Sequence, residues 1–311
     1  MTVKYILNHV KAISGLLALI LLLVSASAVD IGADEKGKKS GKKALPKEIC
    51  ITFDELPVAE SFAEEEPERI MRPILDTLNA HKVRAAGFVV GHSMGRAYDL
   101  FGEWLNSGHR MGSMTFSHSD LHEMSIEQFI RDTEAGFEAL ETMLSGFGQK
   151  PRFFRYPFLH YGKEVTSRED VSRYLEDRGV MVVHATVVVE DYLYNLSLQK
   201  LGSRPDSSSL NQLLNEYVNH VLDQIETAEA LSKKLNGRSC RHILQLRANR
   251  LNALFLGEML TAIEQAGYEF ITLDRALKDK VYIQPQAYFG PRGIGYLDMI
   301  DQSDPDRLPA Q

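Results

Sequence analysis

The chain has 311 residues, 44% of them hydrophobic and 25% charged, with a formal net charge of −7. That composition supports a sizeable apolar core, in one large domain or two small ones. A mildly acidic balance supplies no concentrated positive surface, so a nucleic-acid partner is not expected.

Export is the first signal in chain order. Lys4 and Lys11 flank a short head, residues 12–24 (AISGLLALILLLV) carry no charge, and Ala26, Ser27 and Ala28 form a small-x-small cleavage pattern. Residues 1–28 therefore read as a signal peptide. The alternative is an uncleaved anchor, because the run can be extended toward the ~20 residues a bilayer needs. Either way the body is exported, to a periplasmic or extracellular location, and no membrane span remains after cleavage. Residues 29–46 hold Lys36, Lys38, Lys39, Lys42 and Lys43 among glycines, which predicts a flexible tether.

From 47 to 311 short β-type runs alternate with helical patterns. Strands are expected at 48–53, 84–90, 109–114, 152–155, 179–189, 241–246 and 268–273. A helix is expected after Ser125, where Ser125 and Gln128 have the spacing of a capping box. Residues 210–235 carry apolar side chains at helical spacing and read as an inserted helix packing on the main body. Alternating β and α predicts a parallel sheet covered by helices, and no Gly/Pro-rich linker divides it, so one domain is expected. Cys50 and Cys240 each stand near the start of an expected strand. They form either a disulfide across one end of the sheet or two buried free thiols.

Open parallel sheets and closed barrels both place chemistry at the carboxyl ends of their strands. Asp54, Glu55, His118, Arg155, Asp191 and Arg247 all fall there, which points to one site. His118 and His122 are four residues apart, a spacing that holds zinc when both stand on one helical turn. His122, however, lies in the loop before the Ser125 cap. His109 and His184 read as ordinary structural histidines.

Five segments resemble the polysaccharide deacetylases, the NodB-homology or family-four carbohydrate esterases. They are ITFDELP (51–57), GHRMGSMTFSHSDL (108–121), FFRYPF (153–158), TVVVEDYLYN (186–195) and ILQLRANRLN (243–252). The resemblance covers about residues 48–275. It implies an α/β fold of distorted, incomplete (β/α) barrel type and a divalent, zinc-like metal cofactor. It also implies removal of acetyl groups from an acetylated cell-wall or extracellular glycan.

Residue by residue, Asp54 matches the family's proton-accepting Asp and Arg155 the Arg that holds it. Glu55 stands at the metal-ligand Asp, and His118 at the second ligand His. Met114 occupies the position of the first. Arg247 replaces the general-acid His, and Val188 the Asp that orients it, although Asp191 keeps a carboxylate nearby. Tyr156, Pro157, Phe158 and Tyr192 are the expected substrate contacts.

A thioether is a poor ligand for zinc, and an arginine does not give up and recover a proton at neutral pH. His122 and His160 are the candidate substitute ligands. Arg247 is left as a fixed guanidinium suited to an oxyanion or an anionic sugar. Two readings follow: a deacetylase with an altered metal site and weakened or lost activity, or a non-catalytic glycan- or partner-binding homologue.

Overall fold

The structure is a computed structural model and describes residues 46–59, 66–202, 204–303 and 305–307. The signal-peptide and tether assignments fall, except for Pro46, outside the described residues.

The elements run β1 (Lys47–Leu56), α1 (Pro67–Ala80), β2 (Ala86–Val89), α2 (Tyr98–Asn106), β3 (Arg110–Ser113), α3 (Ile126–Ser145), β4 (Phe153–Phe154), α4 (Val165–Asp177), β5 (Met181–Val182), β6 (Val187–Val188), α5 (Asp191–Lys200), α6 (Ser207–Asn236), β7 (Arg241–Arg247), α7 (Arg250–Gln265), β8 (Tyr268–Phe270), α8 (Leu273–Ala276) and α9 (Tyr296–Asp301). Every strand pairing is parallel, in the order β5-β4-β3-β2-β1-β7-β6, with β8 beside the start of β1.

The expected strand at 179–189 is in fact two strands. Its apolar run satisfied a single long strand, but β5 pairs with β4 whereas β6 pairs with β7, at opposite ends of the sheet. Only residues 183–186 connect them. The sheet must therefore curl until its two edges are separated by four residues, which makes an incomplete barrel. Val183 N–H donates to Phe154 O and Thr186 N–H to Ile243 O, so the crossing segment is bonded to both edges. His184, inside that segment, is partly buried and stacks on Tyr296, and desolvation, with Arg155 and Arg168 nearby, pushes it down to about 3. His109 is also buried and accepts the Ala85 N–H, a structural contact.

Helix α3 starts as its sequence dictates: Ser125 Oγ accepts from Gln128 N–H, and the Gln128 side chain accepts from Ser125 N–H. Helix α6 is the insert. It buries Leu213, Tyr217, Val221, Ile225 and Ala228, a stripe repeating every three or four residues. Two polar anchors fix its rotation. Glu229 meets His242 of β7 at 3.1 Å, and Tyr217 donates to Asn252 of α7 at 2.6 Å.

The cysteines are free thiols, and both are buried. Cys50 lies inside β1 opposite Ile243, three residues beyond Cys240. At about 3.3 Å per residue the two are offset by ~10 Å along the strands, beyond the ~7 Å Cα separation a disulfide tolerates. The bridged alternative is therefore not realised. Burial pushes the Cys50 thiol up to about 12. Titration of the unfolded, unreduced protein should find two thiols, and the native protein should show Cys50 unreactive at pH 8. Absence of free thiol after unfolding would overturn this arrangement.

Candidate functional site

The carboxyl ends of β1, β3, β4, β6 and β7 converge on a cleft of about 730 Å³. Asp54, Glu55, Met114, His118, Phe158, His160, Val188, Tyr192, Gln245 and Arg247 contribute to its walls. Glu55, His118 and Phe158 have φ of 60°, 57° and 57°, left-handed values that cost non-glycine residues about 1–3 kcal/mol each. Such strain at three cleft positions indicates that the surrounding fold dictates where these side chains point.

Asp54 and Arg155 meet at the floor. Arg155 is fully buried and its Nη1 donates to Asp54 Oδ1 at 2.6 Å and to Thr52 Oγ1 at 2.7 Å. Its Nε donates to Val183 O at 3.0 Å, and the guanidinium lies 4.2 Å from the centre of the Phe88 ring. Gln245 Nε2 donates to the other Asp54 oxygen. Both oxygens of this carboxylate are thus engaged. Arg155 Nη2 and Gln245 Oε1 are buried without a hydrogen-bond partner among the described residues.

Arg247 is enclosed by carboxylates. Its Nη1 donates to Asp191 Oδ1 at 2.7 Å, its backbone N–H to Asp191 Oδ2 at 2.7 Å, and its Nε to Glu55 Oε1 at 3.2 Å. Tyr192 lies beneath the guanidinium at 5.2 Å. Burial opposes the charge on Arg247, but Asp191 and Glu55 outweigh it and hold the group above its ordinary range. Asn252 and Asn249 also donate to Asp191, at 2.7 and 3.2 Å. The insert helix α6 thereby supports the site, through Tyr217, Asn252 and Asp191 in turn. Arg247 thus spends Nε and an Nη1 hydrogen on the protein's own carboxylates, which offset its charge toward an anionic ligand.

The family position does not suit a divalent ion. Met114 offers a buried thioether there, and Glu55 is bound to a guanidinium. His118 is present, its ring 4.5 Å from that of Phe158. His118 and His122 both lie in irregular backbone between β3 and α3, not on one helical turn. His122 instead stacks on His160, with ring centres 4.0 Å apart and planes within 8°. Together with Asp120 these two form a group whose ligand atoms all lie within 4.8 Å of one another. Burial and the neighbouring His160 push His122 down to about 4.

Of the expected substrate contacts, Phe158 and Tyr192 stand on the cleft, 46% and 40% exposed. Tyr156 and Pro157 do not. Tyr156 is buried in an aromatic cluster with Phe129, Phe154 and Tyr161, and the left-handed residues Phe158 and Leu159 follow it. One wall was not expected at all. Pro291, Arg292, Gly293 and Ile294, in a segment after α8, also line the cleft. A Cβ on Gly293 would fall 1.8 Å from Phe158 O, so only glycine permits that approach. Arg168 of α4 fastens the same segment, donating to Gln286 and Tyr288. Its sequence signal was the Gly/Pro-rich run at 289–295.

A curled parallel sheet with an Asp–Arg pair and a second carboxylate at its carboxyl ends is the arrangement expected from the resemblance to carbohydrate deacetylases. Residues 41–174 match the polysaccharide deacetylase family. Peptidoglycan-N-acetylglucosamine deacetylase PgdA of Listeria monocytogenes serotype 1/2a is 25% identical over 251 residues, 80% of this chain and 42% of the relative. The chain thus spans less than half the length of that curated relative. A Bacillus cereus peptidoglycan-N-acetylglucosamine deacetylase is 26% identical over 180 residues, 58% of this chain and 56% of the relative.

Among solved structures, PdaC from Bacillus subtilis, a peptidoglycan deacetylase, has a TM-score of 0.51 at 18% identity, covering 75% of this chain and 91% of that one. BA3943 from Bacillus anthracis, a CE4 family pseudoenzyme, has a TM-score of 0.52 at 14% identity, covering 75% and 66%. These two likenesses establish the fold. Residues 41–174, a little under half of the chain, thus carry a polysaccharide deacetylase domain of the NodB-homology or CE4 group.

The two arginines should differ in their contribution to stability. Arg155→Ala leaves Asp54 buried with Gln245 as its remaining side-chain donor, and breaking a buried pair this way costs about 3–5 kcal/mol. Arg247→Ala leaves Asp191 its two asparagine donors and a backbone N–H, so the cost should be about 1–3 kcal/mol. Urea unfolding of both variants tests the order, and a greater loss for Arg247→Ala would contradict it.

Proposed function

We propose that the chain is an exported member of the family that recognises an acetylated cell-wall or extracellular glycan. In this reading it performs the family's hydrolysis of acetyl groups on amino-sugar polymers at most weakly. Residues 1–28 direct export, residues 29–46 act as a tether, and residues 47–311 form the barrel domain. The observation that carries the reading is the placement of Arg247 between Asp191 and Glu55. A guanidinium there balances the charge of Glu55, which in the family's pattern belongs to a metal ion.

The general acid is absent for the same reason. Loss of such a group alone costs ~10²–10⁴-fold, and loss of the metal removes both the source of the nucleophile and its electrophilic partner. Asp54 remains as a fixed acceptor, already bonded to Arg155 and Gln245. Phe158 and Tyr192 provide exposed aromatic faces on a cleft large enough for a sugar unit. Such a cleft supports the non-catalytic reading: a glycan site kept after the chemistry was dismantled. The relatives that act on peptidoglycan make that polymer the first glycan to test. BA3943 supplies a precedent on this fold, a pseudoenzyme of which a mutant has restored enzymatic activity.

Restoration tests the reading here. Met114→His with Glu55→Asp rebuilds the metal-ligand set, and Arg247→His with Val188→Asp rebuilds the acid and its support. The first pair alone should restore zinc at the family position with little turnover, because protonation of the leaving group is still missing. The fourfold variant should release acetate from an N-acetylated amino-sugar oligomer, with a non-additive gain because the groups act as a unit. Unmodified protein that releases acetate as fast as the fourfold variant would overturn the proposal.

A further inference from the structure

We propose that Asp120, His122 and His160 form a divalent transition-metal site on the rim of the cleft, separate from the family's metal position. The three residues come from two loops, one between β3 and α3 and the other leading into α4. Their ligand atoms lie within 4.8 Å of one another, and they are the one such group of His, Cys, Asp and Glu among the described residues. None is deeply buried, so an ion can enter from solvent.

Half of the site is already arranged. His160 Nδ1 lies 2.9 and 3.0 Å from the two Asp120 oxygens. Two donors at about 2.0–2.1 Å from a shared tetrahedral zinc ion stand about 3.3 Å apart, so an ion can replace the proton between them after a shift of a few tenths of an ångström. Asp120 is further fixed by the His122 N–H, which donates to its Oδ1 at 2.8 Å. His122 completes the set by turning. A ring nitrogen binds a metal in the plane of its ring, and the stacked His122 and His160 planes cannot share one ion. The His122 ring makes no side-chain hydrogen bond among the described residues, so only the stack holds it.

Two imidazoles and one carboxylate favour zinc, nickel or cobalt over calcium or magnesium. The nearby cations do not prevent this. Lys163 is paired with Glu123 at 3.0 Å and donates to His122 O, and Arg168 is committed to the Gln286 and Tyr288 carbonyls. Arg292, which shares a small cavity with His122, is exposed to solvent.

His160 also lines the cleft, whereas Asp120 and His122 do not. An ion here would tie together the two loops that carry His118 and Phe158, stiffening one cleft wall. Three protein donors leave coordination positions open to water or to a ligand oxygen.

Zinc titration of the purified, chelator-stripped protein against a chromophoric competitor tests this. The expected result is one equivalent held at micromolar zinc. His122→Gln and His160→Gln should each weaken it at least tenfold, while His118→Gln and Glu55→Gln leave it unchanged. His122→Gln removes only a stacking contact, so its fold should persist, and circular dichroism checks that. No zinc retained at micromolar concentration would overturn this inference and leave the proposed function standing. Zinc lost on His118→Gln but kept on His122→Gln would overturn both, because the ion would then sit at the family position.

Discussion

The site is organised around one guanidinium held by two carboxylates. Arg247, at the end of β7, reaches Asp191 at the start of α5 and Glu55 at the end of β1. Three elements are joined at the place where a hydrolase of this family would gather its charges. Without a cation, Glu55 and Asp191 would face one another in a poorly solvated cleft, and like charges there are costly. The protein supplies that cation covalently. A side chain in this position is always present and is never exchanged, but it cannot activate water or recover a proton.

The neighbouring Asp54–Arg155 pair carries a structural duty of its own. Arg155 bonds to Thr52, Asp54 and Val183, so it links β1 to the segment that closes the barrel. Removing it would expose a structural debt as well as a functional one. That double duty explains how a catalytic-looking pair persists beside an altered acid and an altered ligand set. Yet Arg155 Nη2 and Gln245 Oε1 are buried without protein partners among the described residues. Unsatisfied buried groups cost about 1–3 kcal/mol each, so packing alone gives no reason to retain them.

Much of this was legible in the sequence, for identifiable reasons. Strand ends could be located from apolar runs, and the polar residues that follow those runs had to share one end of a parallel sheet. Asp54, Arg155, Asp191 and Arg247 were found that way and do lie together. The capping box at Ser125 is a local rule and holds locally. The run at 179–189 was misread as one strand because apolar periodicity does not reveal a reversal of sheet edge. Nothing in FFRYPF tells which of its aromatic side chains face the core, so Tyr156 and Pro157 read as cleft residues although both are buried away from it. The Asp120–His160 contact joins residues 40 positions apart across two loops, and no spacing rule anticipates it. The wall formed by Pro291–Ile294 lies beyond the segment resembling the family, so neither pattern nor resemblance reached it.

The central claim is that Arg247 holds the place at Glu55 that a metal ion would otherwise take. Diffraction from crystals grown in excess zinc, recorded across the zinc absorption edge, tests it most directly. The account predicts that the Arg247 guanidinium touches both Glu55 and Asp191, with no anomalous peak within bonding distance of Glu55 or His118. An anomalous peak coordinated by Glu55 and His118, with Arg247 swung out of the cleft, would contradict it.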